Sequence, residues 1–535
     1  MDEKYRVVIN NDEEEIMTMN RRRFLQTAGV GAGLGMTGLG MTGASWAFHD
    51  DGLPLMQPSY GDIAGLEILG FNDMRLPGQP RAEGWDQTYE FRVVDQRRGK
   101  FAYCGNGAMG WTIVDVSNPR RMRVVWRQPH MPTPQSPLVP PFTTDNTQYI
   151  DIKGGDILVV KRSRSLETWD VSNPSAPVRL ASYQPADIHS TMAAPFHGLW
   201  VHEDSRGRFA FAAFRPNGFI AEILEIVDIT DPRNPTHVAR WWYPGMGESS
   251  AEVAMRTWWS PQNEAAGPAP APLLGLVAPT VMIHDMTVWH DRCYLAVRDK
   301  GLVILDISDM RNPERVGEVN WADQQNRPTF DPVVQNPPTT ATIPMPPLPG
   351  QTHSWGLVNP KRGRRVETIV GGDELGQCPF GYMHFIDIRN ESRPREISGF
   401  RSPLNMHANC PKDRLGNRMG IHDVERYIRG KVVWSAWEEG GFWGVDFSDI
   451  HYPRHAGYYV PPVRSQSTRK TGHSDDVFVM EDGTIFGSSS DQGAGGLWAL
   501  RRNPGFTGVV RWNADESDVI VTRTHAEKHH DDDDD

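Results

Sequence analysis

Trp111-Thr-Ile-Val-Asp115-Val-Ser-Asn-Pro119 is the stretch on which the fold turns. A run of aromatic and β-branched residues, at home on a pleated strand, ends in an Asp. Ser-Asn-Pro then forces a turn. The pattern returns at Leu166-Glu-Thr-Trp-Asp170-Val-Ser-Asn-Pro174, at Leu224-Glu-Ile-Val-Asp228-Ile-Thr-Asp-Pro232 and at Leu302-Val-Ile-Leu-Asp306-Ile-Ser-Asp309. Weaker copies read His384-Phe-Ile-Asp387-Ile-Arg-Asn390 and Trp443-Gly-Val-Asp446-Phe-Ser-Asp449, and a degenerate one reads Gly496-Leu-Trp-Ala-Leu500. Most are preceded by another strand-like run, such as Phe101-Ala-Tyr-Cys104 or Cys293-Tyr-Leu-Ala-Val297, and are followed by a further one, such as Val178-Arg-Leu-Ala-Ser-Tyr183.

Four strands per unit, repeated about seven times, predict an all-β, seven-bladed β-propeller over residues 48–524. The repeat Asp positions are 55, 58, 78, 81 and 59 residues apart. The longer gaps are read as insertions, Gly245 to Thr280 and Pro328 to Gly350, expected as loops on one face over a pocket. The segment Ser59 to Met74 is expected to supply the strand that closes the ring. The Asp of each repeat is read as capping its own turn, so Asp115, Asp170, Asp228 and Asp306 are structural.

These segments resemble the LVIVD-repeat family, named for the strand that stands here as Thr-Ile-Val-Asp and Glu-Ile-Val-Asp. The resemblance covers most of the chain after residue 48. It implies the propeller and says little about activity.

Composition agrees. Gly 51 and Pro 42 suit many turns, and 18 Trp suit broad packing faces. A net charge of −12 with no basic stripe argues against nucleic acid as a partner. Five of those charges are Asp531 to Asp535, in a His/Asp tail (525–535) expected to be disordered. The four cysteines, Cys104, Cys293, Cys378 and Cys410, form no CxxC pair. They are read as free buried thiols.

Asn20-Arg21-Arg22-Arg23-Phe24-Leu25-Gln26 resembles the twin-arginine export motif. A Gly-rich apolar stretch from Ala28 to about Ala44 follows, then small residues at Ser45 and Ala47. This is the layout of a signal peptide over residues 1–47. It predicts a periplasmic or secreted protein with no membrane span in the mature chain. The twin-arginine route is often used where a cofactor is inserted before export.

One feature exceeds what the fold needs. A histidine stands before the first strand of five successive units: His197, His284, His353, His422 and His473. The first strand of each blade lines the axis, so these positions converge at one end of the channel. Imidazole is the commonest ligand for iron, copper and zinc. The cluster therefore predicts a transition-metal site, with iron or copper favoured and zinc fitting too. Asp residues beside His284 and His422, with Asp475, Asp476 and Glu374, are placed to orient the rings. The competing reading makes each histidine a hydrogen-bonding residue at a blade junction, since LVIVD-type repeats often carry His-Asp there. In architecture and His placement the chain is similar to carotenoid-cleaving oxygenases and to selenium-binding-protein-type methanethiol oxidases.

Loops near these positions carry Arg256, Trp258, Trp259, Trp355, Tyr382, Met406, His407 and Trp437. Of these, Arg256, Trp355 and Trp437 are the candidate substrate-binding residues, fitting a planar, carboxylated or phenolic molecule. Tyr103, Tyr427 and His407 are the candidate proton donors or acceptors. Together they predict a metal-dependent enzyme acting on a small aromatic molecule, by oxidative cleavage or by a lyase reaction. A binding or scaffold propeller without chemistry, and a metal store, are the alternatives. No nucleophile elbow, P-loop, dinucleotide fingerprint or HExxH is present. Oligomeric state is not legible.

Overall fold

The structure is a computed structural model. It describes residues 63–76, 88–128, 147–189, 196–247, 281–319, 352–374, 383–400, 420–461, 473–490 and 495–503, apart from a few isolated positions, together with short strand backbones elsewhere. The twin-arginine stretch, the His/Asp tail, most of both insertions, Arg256, His407, Cys378 and Cys410 lie outside the described residues.

The chain folds as a seven-bladed β-propeller, each blade a four-stranded antiparallel meander at its core. Blades 1 to 5 span 91–127, 150–183, 196–241, 285–319 and 352–400. Blade 6 runs from Asp423–Val424 to Arg454–Tyr459, and Ile63–Ala64 pairs on its outer edge. Blade 7 takes three strands from 474–502, and its fourth is Leu66–Asn72. The expected closing strand is therefore in place: Trp498 pairs with Phe71 and Leu500 with Ile68. Closure by an early strand removes the edge that a linear stack would leave open.

The repeat pattern forms the third strand of each blade, as in Trp111–Asp115 and Gly301–Asp306. The repeat Asp caps the turn that follows. Its carboxylate accepts from the backbone N–H two residues on: Asp115 from Ser117 (3.1 Å), Asp170 from Ser172 (3.0 Å), Asp228 from Thr230 (2.8 Å) and Asp306 from Ser308 (2.8 Å). This is turn chemistry.

Apolar residues pack between neighbouring blades. Trp111 of blade 1 meets Trp169 of blade 2 edge to face, with ring centroids 5.2 Å apart. Leu69 and Leu497 of blade 7 pack with Phe91 and Val114 of blade 1, so the last junction is built like the others. Cys104 and Cys293 are buried free thiols, as expected. No helix among the described residues is long and apolar enough to cross a membrane.

Candidate metal centre on the propeller axis

Backbone hydrogen bonds set the histidines at one height. His284 donates its N–H to Ala296 of its own blade (2.8 Å), and its carbonyl accepts from Gly198 of blade 3 (3.0 Å). Ile283 donates to Glu222 (3.1 Å) and Ile421 to Asp373 (2.7 Å), each in the preceding blade. The inner strands that carry His284 and His422 are thus pinned to the preceding blade just where the histidine leaves the backbone.

The rings consequently form a continuous arc. Centroids are 4.0 Å apart for His197 and His284, 3.9 Å for His284 and His353, and 4.1 Å for His353 and His422. His473 stands 6.0 Å from His422. Blade 2 contributes a tyrosine in the corresponding place: Tyr149 meets His197 edge to face at 5.3 Å. The long connections of the chain (129–146, 248–280, 320–351, 403–419 and 465–472) all re-enter the fold a few residues before this arc.

Burial and neighbours differentiate the five imidazoles. His284 and His353 are 1% and 0% exposed, and neither ring nitrogen of either has a hydrogen-bond partner within the protein. Burial holds both below the usual imidazole range, and the charges of Arg298 at His284 and His422 at His353 push the same way. Burial likewise lowers His197, with Lys161 and Arg298 adding to it. All three are neutral, the form that ligates metals. Glu374 reaches towards His284 Nε2 (3.5 Å) and pairs with Arg298 (2.5 Å). One donor atom from each of His284, His353 and Glu374 lies within 4.8 Å of the others, and so do donors of His353, His422 and Asp423.

His422 and His473 behave differently. His422 Nδ1 donates to the Asp475 carbonyl (2.9 Å) and lies 3.2 Å from Asp423. Burial opposes its charge, but Asp423 and Asp475 outweigh that and raise it well above the usual value. At His473 burial is likewise overridden by Asp475 (3.1 Å) and Glu438 (3.5 Å), which lift it to about 9. His473 is therefore an ion-paired junction residue, and it is the member of the expected ligand set that the geometry suits least. His455 in blade 6 also has two unpartnered ring nitrogens, but it sits between Trp443 (5.0 Å) and Tyr458 (5.3 Å), away from the arc.

A tier of buried carboxylates adjoins the arc. Glu90, Asp151, Asp285, Asp423 and Asp476 come from blades 1, 2, 4, 6 and 7, each at most 6% exposed. Arg92 bonds Glu90 (3.2 Å), Asp151 (3.2 Å) and Asp476 (2.7 Å). Arg426, 11% exposed at its side chain, spans the channel from blade 6 to Glu90 (3.3 Å) and Asp151 (3.5 Å), and its guanidinium lies 4.4 Å from the Trp200 ring. Burial raises Glu90 and Asp285 well above the usual carboxyl range, with Asp423 adding to both, and raises Asp476 to about 7.

Several expected site residues lie elsewhere. Trp355 is 1% exposed, packs between blades 4 and 5, and donates its indole N–H to Leu295 O (3.1 Å). Trp437 is fully buried against Phe400 and bonds Ser435. Tyr103 is fully buried in the blade 1–2 core, with its hydroxyl on Gln96 (2.9 Å). These three are packing residues, because large aromatic faces are what wedge-shaped junctions require. Tyr427 rests on Trp200 and Trp289, both 5.8 Å away. Trp289 is five residues beyond His284 on an extended strand, roughly 16 Å at about 3.3 Å per residue, so Tyr427 stands away from the arc and packs at the blade junctions. Two other histidines take simple roles: His202 pairs with Asp204 (2.9 Å), and His384, on a strand as expected, is buried between Asp373 (2.9 Å) and Glu396 (2.8 Å).

Sequence reading passed over Tyr149, Arg298 and Lys161. Lys161 ends the second strand of blade 2 and Arg298 follows that of blade 4, positions no repeat pattern marks. Tyr149 could have been found by aligning inner-strand starts without requiring histidine.

The LVIVD repeat is found at residues 98–127, 146–184 and 284–320. No curated protein matches the chain. Among solved structures, U3-55K is similar over 82% of this chain and 98% of its own at 8% identity, with a TM-score of 0.45. The RRP9 WD40 repeats are similar over 84% and 100% at 8% identity, TM-score 0.45, and a Lactobacillus plantarum protein over 77% and 91% at 9% identity, TM-score 0.42.

Proposed function

We propose that the axial arc holds one transition-metal ion, iron or copper before zinc, and that the chain is a metal-dependent enzyme acting on a small aromatic molecule. The observation that carries this is the pair His284 and His353. Two imidazoles sealed from solvent leave four ring nitrogens without a close hydrogen bond, Glu374 standing 3.5 Å from His284 Nε2 and Asp423 3.6 Å from His353 Nδ1, and buried polar atoms so placed are costly. They do so beside a third donor, Glu374, within ligation range. What separates them from His455, whose ring nitrogens are equally unpartnered, is this converging donor set, and what separates them from His473 is that Asp475 and Glu438 answer the latter. His284, His353 and Glu374 are the primary ligands in this reading, with His197 and His422 flanking them. Such an ion would supply redox or Lewis-acid chemistry.

The chain's own groups suit the task. Tyr149 keeps its proton far above neutral pH, because burial and the channel carboxylates oppose phenolate. It can therefore donate a hydrogen bond beside His197. Lys161, 5.5 Å from the Tyr149 ring, places a positive charge near this end of the arc and favours an acidic or phenolic substrate. Oxidative cleavage and lyase chemistry are both compatible with this set. Export through the twin-arginine route, implied by Asn20 to Gln26, fits a cofactor loaded before translocation.

Metal analysis tests the reading. Protein purified without chelator should carry close to one iron or copper per chain, and the His284→Ala/His353→Ala variant should carry none while keeping its β-sheet circular dichroism. Equal, sub-stoichiometric metal in both would mean a binding or scaffold propeller instead.

A further inference from the structure

The carboxylate tier beside the arc has a donor set of its own. Glu90, Asp285 and Asp423 come from blades 1, 4 and 6, and one oxygen from each lies within 4.8 Å of the others. They are 1%, 2% and 3% exposed. We infer that these three carboxylates form a second cation site, for a hard divalent ion of the calcium class, distinct from the imidazole site.

Two orphaned atoms point to a ligand there. Glu90 Oε1 and Asp285 Oδ1 are buried and accept no hydrogen bond. The arginines do not answer for them. Arg92 and Arg426 both engage Glu90 through Oε2, and their remaining contacts go to Asp151, Asp476 and the backbone carbonyls of Phe91 and Leu199. Five carboxylates thus share Arg92, Arg426 and the His422 imidazole, and these leave Glu90 Oε1 and Asp285 Oδ1 without a partner.

Geometry and donor type select the ion. Oxygens sharing one calcium can be at most about 5 Å apart, twice a bond of about 2.3–2.6 Å, and the observed limit of 4.8 Å falls inside that. An all-carboxylate set suits calcium, magnesium or manganese, whereas imidazoles suit the later transition metals. Room is made on purpose: a Cβ on Gly198 would stand 2.6 Å from Asp285 Oδ1, so only glycine there lets this carboxylate hold its place. Asp423 touches both tiers, 3.2 Å from His422 and 3.6 Å from His353. The inference does not require the imidazoles to hold metal.

Titration calorimetry with calcium and with manganese on EDTA-treated full-length protein tests it. One hard cation per chain should bind, and calcium should raise the melting temperature. Asp285→Asn, nearly isosteric, should weaken binding at least tenfold, and Glu90→Gln should do the same. His284→Ala/His353→Ala should leave it within about threefold. Absence of binding to folded wild-type protein overturns the site, whatever the variants do. So does binding that survives both carboxylate substitutions, or that disappears with the histidines alone.

Discussion

Gly198→Ala removes no functional group, yet it should damage the axial site more than most side-chain deletions. A Cβ at Gly198 would lie 2.4 Å from the His284 carbonyl oxygen, 2.6 Å from Asp285 Oδ1 and 2.7 Å from Asp285 Cα. Two of these are backbone atoms of the adjacent inner strand, which cannot rotate aside. Restoring an ordinary carbon–oxygen contact of about 3.3 Å requires the strands to part by roughly 0.9 Å. That would stretch the Gly198 N–H to His284 O bond, now 3.0 Å, and separate the His197 and His284 rings. Overpacking of this sort costs about 1–3 kcal/mol, and an obstacle in the backbone puts the cost at the upper end. At about 2.1 cal/mol/K per residue over the roughly 290 described residues of the propeller, 3 kcal/mol lowers the melting temperature by about 5 °C. Gly247→Ala is the control, since its Cβ would meet nothing within 4 Å, and it should stay within about 0.5 kcal/mol of wild type. Melting followed by circular dichroism, with metal content measured on the same samples, reads both effects. A Gly198→Ala protein that melts with the wild type and keeps its metal would refute the tight inter-blade contact on which the arc depends.

Two further outcomes follow from the fold. His384 is held between Asp373 and Glu396, which outweigh its burial and raise it to about 10, against about 6.5 when unfolded. Its contribution is thus complete below pH 6.5 and lost as pH rises through 10, so His384→Ala should cost about 3–5 kcal/mol at pH 6 and much less at pH 10, in denaturation curves taken at both. A penalty that does not change with pH would mean the imidazole is neutral and acts only by packing. Asp228→Ala should cost about 0.5–1.5 kcal/mol through the lost Thr230 cap and leave metal content unchanged; a variant that folds but loses metal would show that the repeat Asp has a second role.

The repeat was legible because its signals are local. Strand propensity, the Asx cap and the following turn sit within nine residues, as at Trp111 to Pro119, and the cap hydrogen bonds span only two positions. The histidines were legible for a related reason: recurrence at the start of successive inner strands implies a common height on the axis. The aromatic residues misled for the opposite reason. Trp355 and Trp437 look like pocket residues in a Trp-rich sequence, but the junctions between blades need large flat side chains and absorb them.

What the sequence determined by itself is the number and kind of blades, the strand that closes the ring, and which face the histidines share. Tertiary structure alone decided which imidazoles are left neutral and unpartnered, that Tyr149 joins them, and that Glu90, Asp285 and Asp423 meet at all. These carboxylates are separated by 195 and 138 positions along the chain. Their encounter depends on seven inner strands converging on one axis, and on the low polarity there that makes every unmatched charge count. No local pattern encodes a distance across that axis.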